Sequence, residues 1–174
     1  MKITLRHITF TAIFTALTAA LSSVKIPLGF TNLYLTDIAV CMAGIILEPF
    51  FAVIAGAGGA FLGDLMFYPQ AMVVTLIVRA VQTLIISVFS HYVLKKKPAL
   101  SSTLGCIIGI FIMAFGYSYF AVLFYGSIEY ALAKLPLEAL QATVGAVVAL
   151  PLCYKFHIRE ICKSYLKKDT NGNQ

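Results

Sequence analysis

Long apolar runs along the chain are separated by short polar breaks marked by proline and glycine. The first run covers residues 3–24 and ends at Lys25-Ile26-Pro27-Leu28-Gly29-Phe30-Thr31-Asn32, a stretch whose punctuation predicts a loop. The next run continues to Met66 and is interrupted only by Glu48-Pro49. Proline suits the first turn of a new helix, so the pattern predicts two spans, 33–47 and 49–66, meeting at a tight turn. Phe67-Tyr68-Pro69-Gln70 breaks the pattern again. A fourth span, 71–94, then runs to Lys95-Lys96-Lys97-Pro98, and a fifth covers 100–125. Residues 126–136 read as a loop in which 128–135 form at most a helical turn. The sixth span is 137–156, followed by a basic, amphipathic tail over 157–174. A helix needs about 20 apolar residues to cross a bilayer, and most of these runs meet that length.

Composition turns the pattern into a class. The chain has 174 residues, 60% of them apolar and 11% charged, with a mean hydropathy of +0.92. Soluble domains run at about 45–50% apolar and about a quarter charged, and one domain's interior cannot absorb the excess. A cytosolic enzyme and a disordered chain are both excluded. The expectation is an all-α integral membrane bundle of six transmembrane helices, a single membrane domain over 1–174 in the cell membrane. Lys2 and Arg6 lie at the start of the first run and Thr18-Ala19-Ala20 toward its end, a pattern shared with signal peptides. The run is long for that role, and the chain after it is itself apolar, so it reads as a span.

The net charge of +6 is distributed by position. Ten of the thirteen Lys and Arg lie at the N-terminus, in Lys95-Lys96-Lys97 or between Lys155 and Lys168; the outer segments of a six-span chain hold only Lys25 and Lys134. Basic residues accumulate on the cytoplasmic side, so both termini are expected there. The charge therefore reads as orientation in a lipid bilayer, not as a nucleic-acid surface. Cys41, Cys106, Cys153 and Cys162 lack metal-ligand or disulfide-framework spacing, and they read as small apolar fillers with no metal.

Small residues recur at helical spacing. Ala12, Ala16 and Ala20 form one stripe on the first helix; Ala52, Gly56 and Ala60, then Ala55, Gly59 and Gly63, form two on the third. Such stripes let helices approach closely in lipid, where packing drives association. The third helix is expected to be clasped by neighbours within the bundle. The first helix's stripe is open to either internal packing or a partner.

Polar groups inside the spans matter more, because charge in a bilayer is costly and marks function. Arg79 lies about 12 Å below the outer end of the fourth span at 1.5 Å per residue. Thr75, Arg79 and Gln82 share a helix face at i, i+4, i+7, and Glu138 and Gln141 repeat the idea on the sixth span. Asp37, Asp64, Tyr68, Gln70 and Tyr117 fall in the same outer half. Together they predict a pocket for a small polar molecule opening outward. Asp37 and Asp64 are either ligand contacts or members of helix-locking pairs, an Asp64–Arg79 neutralisation among them. No G-x-S-x-G, H-E-x-x-H or phosphate-binding Gly-Lys-Ser/Thr motif occurs. No catalytic residues are assigned, and the chain carries no means of using ATP itself.

Several segments are similar to those of a known family. Asn32-Leu33-Tyr34-Leu35-Thr36-Asp37, the small-residue run from Ala55 through Gly63-Asp64-Leu65, Tyr68-Pro69 and Thr75-Leu76-Ile77-Val78-Arg79-Ala80 resemble the substrate-binding S components of energy-coupling factor (ECF) vitamin transporters, in the riboflavin and hydroxymethylpyrimidine branch. Thr36, Phe67 and Arg79-Ala80 depart from the branch's usual Gly, Gly and Lys-Gly. A guanidinium favours different ligand groups from an ammonium, so the departure bears on substrate identity.

The resemblance implies a six-helix bundle that binds a small water-soluble vitamin near the outer face. Hydroxymethylpyrimidine is the first expectation, with pantothenate, riboflavin and other vitamins behind it. It also implies docking through Ala12, Ala16 and Ala20 on a transmembrane scaffold subunit with two ATPase subunits, which would consume ATP, this chain holding no cofactor. Arg79 would orient a polar or anionic ligand group, with Gln82, Glu138 and Gln141 as hydrogen-bonding candidates and residues 25–32 as a lid. The competing expectation is a stand-alone facilitator or channel independent of any ATPase.

Overall fold

The computed structural model describes residues 5–28, 31–67, 69–93, 97–126 and 128–167. It is an all-helical bundle with one small hairpin. Five of the described helices are long and apolar enough to cross a membrane: α1 (Leu5–Ser22), α3 (Pro49–Phe67), α4 (Met72–Val93), α5 (Pro98–Tyr125) and α6 (Ile128–Tyr154). Helices α1, α3, α4, α5 and α6 pack in succession, and α2 (Thr36–Ile46) packs against α1, α4 and α6. At 1.5 Å per residue the 11 residues of α2 extend only about 16 Å. This helix cannot cross a bilayer alone. It is instead buried on nearly every side, Ile38 being its one partly exposed residue.

Two expectations about the loops are corrected. The segment 25–32 is no simple loop: Lys25–Leu28 (β1) pairs antiparallel with Thr31–Tyr34 (β2), Lys25 opposite Tyr34 and Leu28 opposite Thr31. The second span therefore starts at Thr36, because Leu33 and Tyr34 belong to the strand. Pro27 is tolerated since both strands of a two-stranded hairpin are edges. The segment 126–136 is likewise no loop. Gly126 closes α5 in the left-handed conformation, φ 64°, its N–H donating to the Val122 carbonyl at 2.9 Å. Helix α6 starts two residues later and carries Pro136 and Pro151 in its interior. Proline is tolerated within membrane helices because neighbouring groups satisfy the freed carbonyl. Where a span over 137–156 was expected, the helix is Ile128–Tyr154.

Small residues decide how closely the helices approach. A Cβ added to Gly59 would lie 2.6 Å from the Thr18 Cβ, and one added to Gly63 would overlap the Ser22 side chain, so α1 lies directly on α3. On its other side, Gly56 fits against the Thr83 hydroxyl of α4. The third helix is clasped from both sides, as its two stripes predict. Helix α1 turns its hydroxyl-rich face inward, burying Thr11, Phe14, Thr18 and Ser22. The three hydroxyls donate to carbonyls four residues earlier, on His7, Phe14 and Thr18 respectively for Thr11, Thr18 and Ser22. Ala12, Ala16 and Ala20 lie on the exposed face.

The tail forms α7 (Ile158–Lys167) after His157, whose φ is 56°. Arg159 is buried, its Nη2 donating to the Ser90 carbonyl at 2.7 Å and its guanidinium 5.3 Å from the Tyr154 ring centroid. Arg6 of α1 donates to the Tyr165 carbonyl at 2.8 Å, which ties α7 to the first helix. All four cysteines are buried and free.

Candidate functional site

The centre of the site is a carboxylate on the short buried helix. Asp37 lies in the first turn of α2 and Arg79 in the middle of α4, both almost fully buried. Arg79 Nη1 donates to Asp37 Oδ1 in a short contact, and Nη2 donates to Oδ2 at 3.1 Å. This fork-to-fork geometry is the strongest ion-pair arrangement open to arginine. It is also what makes a buried pair tolerable, since desolvating two charges is costly unless their hydrogen bonds are satisfied. The neutralisation expected between Asp64 and Arg79 is replaced by one between Asp37 and Arg79.

Two amides complete the shell. Gln82, one turn along α4, accepts from Arg79 Nη1 at 3.0 Å, and its Nε2 is 3.5 Å from Asp37 Oδ1. Gln141 of α6 donates to Asp37 Oδ2 at 2.6 Å and accepts the Tyr34 backbone N–H at 3.1 Å. The last residue of the hairpin is thereby bound to the same carboxylate through a single side chain. Gly145, one turn along α6, admits this approach: a Cβ there would overlap Asp37. Met113 of α5 places its sulfur 3.6 Å from Arg79 Nη1.

A second chain of contacts runs beside the first. Tyr117 of α5 donates to Thr75 Oγ1 at 3.1 Å, and Thr75 donates in turn to Asp64 Oδ2. The Tyr117 ring joins the two chains, with the Arg79 guanidinium carbon 5.8 Å from its centroid and Lys134 Nζ 5.6 Å away. Both lie within cation–π range. Lys134 pairs with Glu138 at 3.0 Å, one helical turn apart on α6.

Of the residues singled out from the sequence, Asp37, Asp64, Thr75, Arg79, Gln82, Tyr117, Glu138 and Gln141 all belong to this connected cluster. Gln70 is exposed in the turn between α3 and α4. Tyr68 lies outside the described residues. Lys134, Met113 and the Tyr34 amide were not anticipated. Lys134 carried a signal, its i, i+4 spacing to Glu138; Met113 is one apolar residue among many and carried none. Among the described residues no group of three or more His, Cys, Asp or Glu could hold a metal ion.

A helical bundle with five helices long and apolar enough to cross a membrane, whose interior polar cluster joins five helices and a hairpin, is the architecture of a polytopic membrane protein. Comparison with known proteins names the class more closely. Residues 2–157 match the family described as ECF-type riboflavin transporter, S component, and the chain belongs to that family. It is a vitamin-binding transporter subunit and a multi-pass membrane protein, in a family of transport components rather than enzymes. A protein of Pyrococcus woesei described as "Uncharacterized protein in gap 3'region" is 28% identical over 141 residues, covering 80% of this chain and 93% of its own.

Proposed function

We propose that the chain captures a small water-soluble vitamin or vitamin precursor at the outer face and releases it inward after docking on an ATP-driven module. The observation that carries the reading is the buried Asp37–Arg79 pair with its two amides, linked by Gln141 to the hairpin. A polar centre of this kind is too costly for a membrane helix to keep without a use, and the hairpin of Lys25–Leu28 and Thr31–Tyr34 would act as a lid over it. Arg79, Gln82, Gln141 and Glu138 are the hydrogen-bonding side chains of the pocket, Tyr117 offers a ring face, and Thr75, Asp64 and Asp37 hold them in position. Tyr68 and Gln70 would be further ligand contacts, as the sequence suggests.

The ligand class that fits is a pyrimidine-bearing heteroaromatic. Riboflavin, which the family description names, and hydroxymethylpyrimidine both present an edge of alternating donors and acceptors, which amide side chains match. The basic ends and tail favour cytoplasmic termini, which would set the cluster in the outer half. The scaffold subunit would bind the exposed Ala12, Ala16 and Ala20 stripe of α1, and two ATPase subunits would supply the energy. Mass spectrometry of the small molecule that co-purifies with the full chain tests the ligand; riboflavin or hydroxymethylpyrimidine is expected. Recovery of the chain in gentle detergent with neither a bound vitamin nor scaffold and ATPase subunits would sink the reading in favour of a stand-alone facilitator.

A further inference from the structure

The cations of the site are already spent. Both terminal nitrogens of Arg79 are on Asp37, and the Lys134 ammonium is on Glu138 at 3.0 Å. Asp64, which accepts from Thr75, adds a third carboxylate. Among the described residues of the cluster, each cation therefore has its own carboxylate partner. An anionic ligand group, whether phosphate or carboxylate, would meet no unpaired positive charge among these described residues. It would have to displace Asp37 from Arg79 or stand beside it, and like charges brought together in a poorly solvated place are strongly unfavourable.

One donor remains. Arg79 Nε is buried and has no hydrogen-bond partner. A buried donor left unsatisfied costs free energy, and a neutral acceptor can satisfy it without upsetting the charge balance. A ring nitrogen or a carbonyl oxygen of a heteroaromatic ring is such an acceptor.

We propose that Asp37 and Glu138 form a charge filter, neutralising Arg79 and Lys134 so that the site takes an uncharged vitamin and refuses its phosphorylated or carboxylated counterparts. This inference rests on the vitamin-binding reading above and narrows it. Pantothenate, a carboxylate, drops from the candidates. Asp37 acts through Arg79 and is a positioning residue for selectivity, and Glu138 has the same role toward Lys134.

The test is a comparison of paired ligands on the full chain, stripped of bound vitamin and reconstituted in nanodiscs. Riboflavin is titrated against riboflavin 5′-phosphate, hydroxymethylpyrimidine against its monophosphate, and pantothenate separately. The neutral member of the better-bound pair should win by about 100-fold. In Asp37→Asn, which leaves Arg79 unpaired, that ratio should fall by about tenfold or more, with the phosphate ester gaining affinity in absolute terms. A purely structural role would weaken both members equally and leave the ratio fixed. Glu138→Gln frees the partly exposed Lys134 and is the gentler variant; it should move the ratio in the same direction even if Asp37→Asn does not fold. An anionic form binding the native chain as tightly as the neutral one, or a ratio unmoved in the folded variants, would overturn the filter alone. Failure of every neutral vitamin to bind would overturn the vitamin reading and the filter with it.

Discussion

The Asp37 carboxylate and the Arg79 guanidinium, 42 positions apart in the chain, meet through both oxygens and both terminal nitrogens in the interior of the bundle. The pair does more than neutralise charge. Helix α2 is too short to be fixed by spanning the membrane, and Asp37 ties its first turn to α4 directly and to α6 through Gln141. The central helix, the hairpin that leads into it and the polar site therefore share one anchor.

Arg79→Ala should cost about 3–5 kcal/mol of stability, because removing one partner leaves the other as an uncompensated buried charge. Replacing both, as Asp37→Leu with Arg79→Met, should recover most of that loss, since apolar groups of similar volume often replace a buried pair without penalty. Thermal unfolding in detergent reads the stability of all three variants. Vitamin binding should be absent from the single and the double variant alike. A double variant that is stable and still binds would remove Arg79 from the site.

Gly63→Ala should destabilise the bundle by about 1–3 kcal/mol, because the added Cβ overlaps Ser22 and must push α1 away from α3. Gly58, five positions earlier on the same helix, has open space where its Cβ would be. Gly58→Ala should therefore be neutral or stabilising by up to about 1 kcal/mol, from helix propensity alone. The same thermal assay compares the two. Equal losses at both positions would show that the small-residue stripe does not set the helix spacing.

Gln141→Leu should release the hairpin. The Tyr34 N–H loses its acceptor and Asp37 loses a donor at 2.6 Å, and each unmatched group costs about 1–3 kcal/mol. Hydrogen exchange over residues 31–34 should accelerate about tenfold or more, and a bound vitamin should dissociate faster with little change in its rate of entry. Unchanged exchange in that segment would mean that the hairpin is held by something other than Gln141.

These relationships were unevenly legible in the sequence. The approximate positions of the long helices follow from apolar runs, since a membrane span must be long and nearly free of charge. The shared face of Thr75, Arg79 and Gln82 follows from helical spacing. The partner of Arg79 does not, because two carboxylates, Asp37 and Asp64, lay at suitable depth and only packing chooses between them. Pro136 misled in the other direction: read as a boundary, it made a loop of 126–136 and hid the pairing of Lys134 with Glu138 one helical turn on. The hairpin was missed because Pro27 and Gly29 mark loops and hairpins equally well. The start of α2 at Thr36 rather than Leu33 follows from β2, which takes Leu33 and Tyr34.

The outward face of α1 leads to the last prediction. Thr11, Phe14, Thr18 and Ser22 are buried against the bundle, whereas Ala12, Ala16 and Ala20 are exposed, so the stripe is not consumed by internal packing. Three alanines one turn apart leave a shallow strip among bulkier exposed neighbours such as Ile13 and Leu17. A partner helix gains close backbone approach along such a strip, the main source of helix association in lipid. Ala16→Trp fills it while leaving the inward face intact. Co-purification of scaffold and ATPase subunits should be lost in that variant, and vitamin affinity should stay at the native value. Phe111→Trp, on the exposed face of α5, puts a tryptophan of the same bulk away from the strip and should leave assembly intact. An intact complex carrying Ala16→Trp would show that the scaffold docks on another face, and loss of assembly in both variants would trace the effect to bulk in the lipid-facing surface rather than to the alanine strip.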